Sequence, residues 1–312
     1  MFEIRKYSEN DKEKWNEFVE TSRQGTFLFN RDYMDYHHDR FTDYSLMVYR
    51  GNQLLAVLPA NIDGDTLWSH QGLTYGGLLT DNKVTAADTI DIFIQMNGHL
   101  KKNGLHKVVY KPMPWIYQRQ PSEEDLYALT NTCNAKLAAR YISSAINMRE
   151  PLKWRYGRIY DANKAASSCI KIEQDDSALP AFWAILNENL IKNHNAKPVH
   201  TLCEIQKLQA AFTQNIKLYV ARHEGEVIAG SLIYTTPQVV HTQYISANEK
   251  GKRLHALDLL FRNVLNDFKS VPYFDFGTSN ENHGRELNRG LIFQKEGFGG
   301  RGVCYDWYEY EL

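Results

Sequence analysis

The sequence predicts an α/β (α+β) fold of two domains, each with a mixed, largely antiparallel sheet flanked by helices. Three observations predict it. An order of three strands, one helix and one further strand occurs twice along the chain. Helical stretches precede each copy, and 312 residues suit two domains of about 150 residues each. We therefore predict domains at 1–150 and 151–312, divided in the irregular stretch 151–168.

The first copy lies in residues 44–111. Its opening segment reads YSLMVYRGNQLLAVLPANIDGDTLW, in which turns at 51–52 and 63–64 separate three apolar runs. Alternating apolar runs joined by Gly-Asn and Asp-Gly turns are typical of a β-meander. A helical pattern follows at 86–102, and the strand-like HKVVYK closes the copy.

The second copy begins at residue 216 with IKLYVARHEGEVIAGSLIYTTPQVVHTQYISA. Turns at 224–225 and 235–238 again divide three apolar runs. A helical pattern runs over 254–268, and the strand YFDF follows at 273–276. Two meanders in the same order indicate duplication of one α/β unit.

Capping signals mark helices ahead of each meander. Ser8 and Asp11 predict a capping box before a helix at 12–20. Thr201 and Glu204, in the pattern T-x-x-E, predict a second capping box before an apolar helical stretch. Each meander is therefore expected to carry helices on its flanks.

Composition argues against several classes of function. The net charge is −1, so no overall basic excess favours nucleic-acid binding. No apolar run approaches the roughly 20 residues of a membrane helix, and the polar N-terminus does not resemble a secretory signal. The four cysteines are scattered without metal-ligand spacing. We therefore expect a cytoplasmic protein with reduced thiols, no metal and no membrane partner.

Four short segments of the second half carry a family resemblance. They read EVIAG at 226–230, NEKGKR at 248–253, YFDFG at 273–277 and LIFQKEGFGG at 291–300. The first two resemble the second meander strand and the pyrophosphate loop of the GCN5-related N-acetyltransferase (GNAT) superfamily. The last two resemble the ending of the Fem-type peptidoglycan aminoacyltransferases and their acetyltransferase relatives, which are tandem GNAT chains.

The resemblance implies two GNAT-like domains and an N-acyltransferase that acts on an unidentified amine. It covers 215–308 in residues and 1–150 in architecture only. The pyrophosphate loop departs from the family pattern because it supplies one glycine, Gly251. No helical arm with sustained heptads is visible, which favours acetyl-CoA or another acyl-CoA as donor over aminoacyl-tRNA.

The resemblance also implies where the donor binds. Its contacts are expected at Ile245, Ser246, Lys250, Gly251, Lys252, Arg253 and Lys295. Backbone N–H groups near Ile245 and Ser246 are expected to face the acyl carbonyl. A glycine before a helix can direct N–H groups at a diphosphate, and neighbouring cations add attraction. Lys295 matches a Fem-like lysine that neutralises a phosphate or carboxylate.

Acyl transfer to an amine needs a base and a polarised carbonyl. The candidate bases are His200, His241, Glu281 and His283, because histidine titrates near neutrality and a carboxylate can be tuned to do so. Tyr244 is the candidate donor to the departing thiolate, and no activated nucleophile stands out. We therefore predict direct transfer, with the amine in a cleft between the domains.

Strand alternation makes a further prediction about these residues. Along VVHTQYISA, it places His241, Gln243 and Ile245 on one face of the sheet, and Tyr244 and Ser246 on the other. His241 and Tyr244 are thus expected to point in different directions. Asp275 alternates within YFDF and is expected to join the hydrogen-bond network of the sheet.

The first half offers weaker chemistry and two rival functions remain open. Trp68, His70, Tyr75 and the glycines of 76–77 either form an acceptor pocket or are a turn packed by aromatic rings. One rival function is aminoacyl transfer from charged tRNA, which a local basic surface and salt-sensitive binding would indicate. The other is a non-catalytic binding module, for which the single-glycine loop is the main support.

Overall fold

The computed structural model describes residues 2–194 and 196–312. The chain divides into two compact units. The first unit comprises Met1–Ile142, Asn280–Glu286 and Cys304–Leu312, and the second comprises Ser143–Ser279 and Leu287–Val303. The C-terminal part of the chain therefore contributes to both units.

The first part of the chain alternates short strands with helices. Its helices are α1 (Lys12–Thr21), α2 (Arg31–Met34), α3 (Ala86–Lys102) and α4 (Glu124–Asn131). Its strands are β1 (Glu3–Lys6), β2 (Thr42–Asp43), β3 (Leu46–Arg50), β4 (Gln53–Leu58), β5 (Asn61–Asp63), β6 (Thr66–Trp68), β7 (Leu79–Thr80), β8 (Lys107–Tyr110) and β9 (Lys136–Asn147).

The second part of the chain has longer strands. Its helices are α5 (Tyr156–Ser167), α6 (Leu179–His194), α7 (Leu202–Ala211), α8 (Glu249–Arg253), α9 (Ala256–Asp267) and α10 (Arg289–Gly297). Its strands are β10 (Lys171–Gln174), β11 (Ile216–His223), β12 (Glu226–Thr235), β13 (Val239–Ala247), β14 (Tyr273–Thr278), β15 (Asn280–Glu281), β16 (Glu286–Leu287) and β17 (Arg301–Glu311).

The first unit is built mainly on antiparallel strand pairs. Strands β1, β3, β4 and β7 form one sheet, and β9, β17, β8, β6, β5 and β2 follow one another in a second. Strands β6 and β8 pair in parallel. Helix α3 buries Ile92, Phe93 and Met96 in the core of this unit. Apolar residues three and four positions apart lie on one side of a helix, so α3 turns a single apolar face to the core.

The second unit is a mixed sheet covered on both faces. Its strands follow the order β10, β11, β12, β13, β14 and the end of β9. Among the described strands of this unit, β13 and β14 are the pair that runs in parallel. Helix α9 packs on one face through Leu260 and Phe261. Helix α6 covers the other face, where Trp183 meets the ring of Tyr244 at 5.2 Å. Largely antiparallel sheets flanked by helices confirm the predicted fold class.

Some local predictions were wrong. Ser8 makes no capping bond to the backbone, because its hydroxyl instead donates to the Asp11 carboxylate at 2.7 Å. The stretch 151–168 was expected to be irregular, yet it contains α5. That helix buries only the small residues Ala162 and Ala165, so its sequence shows little apolar periodicity. The capping box at Thr201 is confirmed.

Candidate active site

A gap opens in the second unit where two parallel strands separate. Strands β13 and β14 pair from Val239 with Tyr273 as far as His241 with Asp275, and the pairing ends there. Strand β13 continues to Ala247, paired on its other side with β12. The edge of β13 beyond His241 is therefore directed at a gap rather than at a neighbouring strand.

The register of β13 fixes which backbone groups face this gap. The Asn248 N–H donates to the Ile228 carbonyl of β12. Backbone groups alternate in direction along a strand, so those of Ser246 also point toward β12. Ile245 and Ala247 consequently direct their N–H and C=O groups into the gap. The Asn189 amide donates to the Ala247 carbonyl at 2.7 Å from that side. Of the two residues predicted to face the acyl group, Ile245 thus has the required backbone direction and Ser246 has the opposite one.

A cavity of about 430 Å³ fills the gap, and we call it the slot. Its walls come from α6, β13, α8, α9, β14 and α10. The lining residues are Leu186, Asn189, Leu190, Ile245, Ser246, Ala247, Lys252, Leu257, Phe261, Phe276, Leu291, Gln294, Lys295 and Phe298. The walls are mostly apolar, with a few polar groups and two lysines, which is typical of a site for an extended organic ligand.

A β-bulge changes the direction of the candidate catalytic residues. The register between β12 and β13 shifts so that Leu232 pairs with Tyr244 while Ile233 pairs with Thr242. Gln243 is the extra residue, and one extra residue reverses the alternation after it. His241 and Tyr244 therefore lie on the same face, covered by α6. The prediction that they point in different directions was wrong for this reason.

The half-buried His241 forms a dyad with the buried Asp275 where the strands separate. The His241 Nδ1 lies 3.1 Å from the Asp275 carboxylate, which is fully buried. The Ser143 hydroxyl and the Gly277 N–H also donate to this carboxylate. A carboxylate that receives three donors is stabilised in its charged form and holds the imidazole proton on Nδ1. This arrangement confirms that Asp275 joins the hydrogen-bond network of the sheet.

Lys295 is a buried cation between this dyad and the slot. Its Nζ donates to the carbonyls of Gly277 and Thr278 at 2.8 and 2.7 Å. Burial lowers the pKa of Lys295 to about 8, an effect that the nearby Asp275 carboxylate opposes. An ammonium group has three protons to donate, and two of them are used here. Lys295 therefore both fixes the end of β14 and lines the slot.

His200 and Tyr244 form a second polar pair on the same face. The His200 Nδ1 lies 2.7 Å from the Tyr244 hydroxyl, and His200 is buried. Burial raises the pKa of the Tyr244 phenol, so the phenol keeps its proton at neutral pH. His200 and Trp183 also line an open groove of about 580 Å³ between α6 and the start of α7. A protonated phenol beside a histidine can donate a proton or pass one on.

The loop predicted to hold a diphosphate is tightly packed. The Gly251 N–H already donates to the Asn248 side chain at 2.8 Å. A Cβ added at Gly251 would lie 2.2 Å from the Ile228 carbonyl oxygen, so glycine is required for packing. Lys250 pairs with Glu224 at 2.9 Å. Lys252 lines the slot and donates to Asn189, whereas Arg253 is exposed and outside the lining.

The remaining candidates belong to other segments of the chain. Glu281 is exposed on β15 and His283 is exposed just after it, and both belong to the first unit. Asn189 was missed by sequence reasoning, and nothing in the helical pattern of α6 marks it. Elsewhere in the second unit, side-chain atoms of Asp161, His255 and Asp258 lie close enough together to suit a metal ion. The Arg158 guanidinium donates to Asp258 at 2.8 Å and already supplies positive charge there.

Comparison with known proteins is consistent with this geometry. Residues 158–285 match the family model described as an acetyltransferase (GNAT) domain. No curated protein matches the sequence. Within the described residues, 2–194 and 196–312, no helix is long and apolar enough to span a bilayer.

Solved structures extend the fold comparison to the whole chain. FemX is similar with a TM-score of 0.70 at 9% identity, over 99% of this chain and 97% of that chain. L-PGS from Bacillus licheniformis is similar with a TM-score of 0.61 at 12% identity, over 96% and 90%. A tandem GNAT protein from the clavulanic acid biosynthesis pathway gives 0.53 at 10% identity, over 100% and 98%. At these identities the likeness shows a tandem GNAT fold.

Proposed function

We propose that this chain, an acyltransferase with a GNAT acetyltransferase domain at residues 158–285, takes its acyl group from an acyl-CoA in the slot and transfers it to an amine. The observation that supports this most is the separation of β13 from β14 beyond His241. We assign the donor site to a domain at 151–312 and regard 1–150 as its duplicated partner. The proposed place of action is the cytoplasm.

The slot suits a thioester because it offers backbone donors between apolar walls. An extended pantetheine arm carries amide groups that need hydrogen-bond partners, and the Ile245 carbonyl and the Ala247 backbone groups supply them. The Ile245 N–H is the donor proposed to polarise the thioester carbonyl. A fixed donor in a site shielded from water stabilises the negative oxygen of the tetrahedral intermediate.

The proposed reaction is direct transfer from sulfur to nitrogen. The amine attacks the thioester carbonyl, the new C–N bond forms, and the C–S bond breaks to release the CoA thiolate. His241 accepts the amine proton on Nε2, since Asp275 holds the proton on Nδ1. Tyr244 donates a proton to the thiolate and can recover one through His200.

Lys252 is the proposed phosphate contact of the loop. It lines the slot, and the Asn189 amide oxygen accepts from its Nζ at 3.2 Å, which orients it. Both lysines have a carboxylate partner at 2.9 Å, Lys252 with Glu249 and Lys250 with Glu224. Lys252 lines the slot and Lys250 does not, so we assign Lys250 a smaller part. Gly251 supports the site by letting α8 approach β12, which makes a bulky Gly251 variant a test of folding as well as of binding.

The test is calorimetric titration with acetyl-CoA and free CoA, using a variant that fills the slot. Leu291→Trp places a tryptophan in the lining, whereas Phe293→Trp places one at an exposed site of the same helix. We expect wild type and Phe293→Trp to bind alike and Leu291→Trp to lose at least about tenfold in affinity, or about 1.4 kcal/mol. Equal affinity in all three proteins would contradict the proposal.

A second candidate function is transfer from aminoacyl-tRNA. The similarity to FemX over nearly the whole chain favours it, as does the single glycine of the loop. Salt-sensitive binding of a charged tRNA, together with failure to bind acetyl-CoA, would establish this donor class. Donor binding without turnover across a broad amine panel would instead indicate a non-catalytic module.

A further inference from the structure

Helix α5 exposes large apolar residues on its outer side. Tyr156, Ile159 and Tyr160 are 82%, 44% and 58% exposed. Residues three and four positions apart lie on the same side of a helix, so the three form one stripe. The buried side of α5 carries only Ala162 and Ala165. The side of α5 that faces water therefore carries its large apolar residues, which is unusual for a surface helix.

The stripe continues onto α10 through the segment before α5. The Arg155 guanidinium lies 3.7 Å from the centre of the Phe293 ring, which is 62% exposed. The backbone N–H of Arg155 donates to the Gly297 carbonyl at 2.9 Å. Leu152 is 47% exposed in the same segment. We call Leu152, Tyr156, Ile159, Tyr160 and Phe293 the apolar face.

The segment that carries most of the apolar face has an excess of positive charge, although its Arg158 is paired with Asp258 at 2.8 Å. Residues 148–164 carry five Lys or Arg against two Asp or Glu, although the whole chain has a net charge of −1. Arg149 and Lys153 are exposed within this segment. The Arg155 guanidinium lies 3.7 Å from the Glu296 carboxylate and also stacks on the Phe293 ring. Exposed aromatic and aliphatic residues among cations match the composition of helices that lie in a bilayer interface.

We propose that the apolar face docks on the surface of an anionic lipid bilayer. Tyrosine and phenylalanine partition into the headgroup region, and the surrounding cations attract anionic lipid. The aliphatic members, Leu152 and Ile159, favour lipid over RNA, because nucleic-acid surfaces use stacking rings and cations rather than aliphatic side chains. The sequence was expected to have no membrane partner because it lacks a spanning segment, and peripheral docking requires none.

This inference does not depend on the proposed acyl donor. It does relate the slot to the apolar face, because α10 contributes Leu291 and Gln294 to the slot lining and Phe293 to the apolar face. Docking of the apolar face therefore brings one wall of the slot near the bilayer. An acceptor or donor carried in the membrane would reach the site from there.

The test is co-sedimentation of the full chain with vesicles of phosphatidylcholine alone and with about one third phosphatidylglycerol. We compare wild type with Tyr156→Ser/Tyr160→Ser and with the control Tyr127→Ser. Tyr127 is an equally exposed tyrosine on α4, beside acidic residues of the first unit. All three side chains are exposed, so the melting temperature should stay unchanged and report intact folding.

We expect wild type and Tyr127→Ser to bind the anionic vesicles, with binding that weakens as salt rises. The double variant should lose at least about tenfold in partitioning. The proposal is overturned if no protein binds anionic vesicles or if the double variant binds like wild type. It is equally overturned if wild type does not bind the vesicles but binds an RNA oligomer or self-associates, and the double variant loses that binding or self-association.

Discussion

Each unit has a pair of parallel strands, and the place beyond the end of this pairing is open in the second unit and closed in the first. In the second unit, β13 runs on past the end of its parallel pairing, and the slot opens beside it. In the first unit, β6 and β8 also pair in parallel, but β6 ends at Trp68. The Gly76 N–H then donates to the Lys111 carbonyl at 2.9 Å, so the chain folds back against the end of β8.

Side chains complete the closure of the first unit. Lys111 is buried, and its Nζ donates to the Leu73 carbonyl at 2.6 Å. The Tyr110 hydroxyl accepts the Leu78 N–H at 2.6 Å and donates to Asp125 at 2.7 Å. The segment 69–78 thus occupies the place that corresponds to the slot. One strand order can thus accompany a ligand site or a packed turn, and the strand beside the parallel partner has nine residues in β13 but three in β6.

The largest expected effect separates the chemistry of the two units. His241→Gln keeps a donor for Asp275 but removes the base, and should lower kcat by about 10²–10⁴-fold. His70→Asn is the matched change in the first unit, because asparagine tolerates the left-handed backbone at φ 67°. It should leave kcat within about twofold of wild type. Steady-state kinetics measure both, and loss of activity in His70→Asn alone would break the comparison.

The buried lysine of the first unit should make stability depend on pH. Burial lowers the pKa of Lys111 to about 7 from the model-peptide value of 10.5. The folded state then holds fewer protons than the unfolded state between these values, so the free energy of unfolding rises with pH across that window. From pH 7 to pH 9 we expect a gain of about 2 kcal/mol that Lys111→Met lacks.

Urea denaturation at the two pH values measures this difference. Lys295→Met is the matched change in the second unit, where the pKa of about 8 places the onset of the same rise about one unit higher. Identical pH profiles for wild type and Lys111→Met would mean that Lys111 is not held buried, and the closure of the first unit would need another explanation.

The smallest expected effect sharpens the account of the donor loop. Lys252→Glu reverses a charge that lines the slot and should weaken acetyl-CoA binding by about tenfold. Lys250→Glu reverses a charge on the same short helix but outside the slot lining, and should change affinity by less than about threefold. Each lysine pairs with one carboxylate at 2.9 Å, so the two changes are matched in that respect. Calorimetry compares the two variants, and a larger effect from Lys250 would move the phosphate contact to the outer side of α8.

Sequence patterns predicted the fold better than the site. The second meander and the capping box at Thr201 are local signals, and the structure has them. The first predicted meander was wrong, because its runs form β3 and β4 in one sheet and β5 and β6 in another. The bulge at Gln243 has no such signal, because VVHTQYISA alternates without a glycine or proline to mark an extra residue. The partnership of Asp275 with Ser143 joins residues far apart in the chain, so no spacing rule could find it.

Glycines illustrate the same limit. Gly251 was read as a phosphate-loop glycine, but its close approach to the Ile228 carbonyl gives it a packing reason that its sequence neighbours do not reveal. Gly76 in the first unit has a comparable reason, since a Cβ there would lie 1.8 Å from the Ser69 carbonyl oxygen. A glycine alone therefore predicts a close approach, without saying whether ligand or backbone approaches.

The most direct test of an open slot in one unit and a closed one in the other is amide hydrogen exchange with and without acetyl-CoA. The account predicts slower exchange in peptides covering 239–253, where Ile245 and Ala247 face the slot. It predicts no change in peptides covering 69–80, which fill the corresponding place in the first unit. Protection of 69–80, or of neither segment at saturating acetyl-CoA, would contradict it.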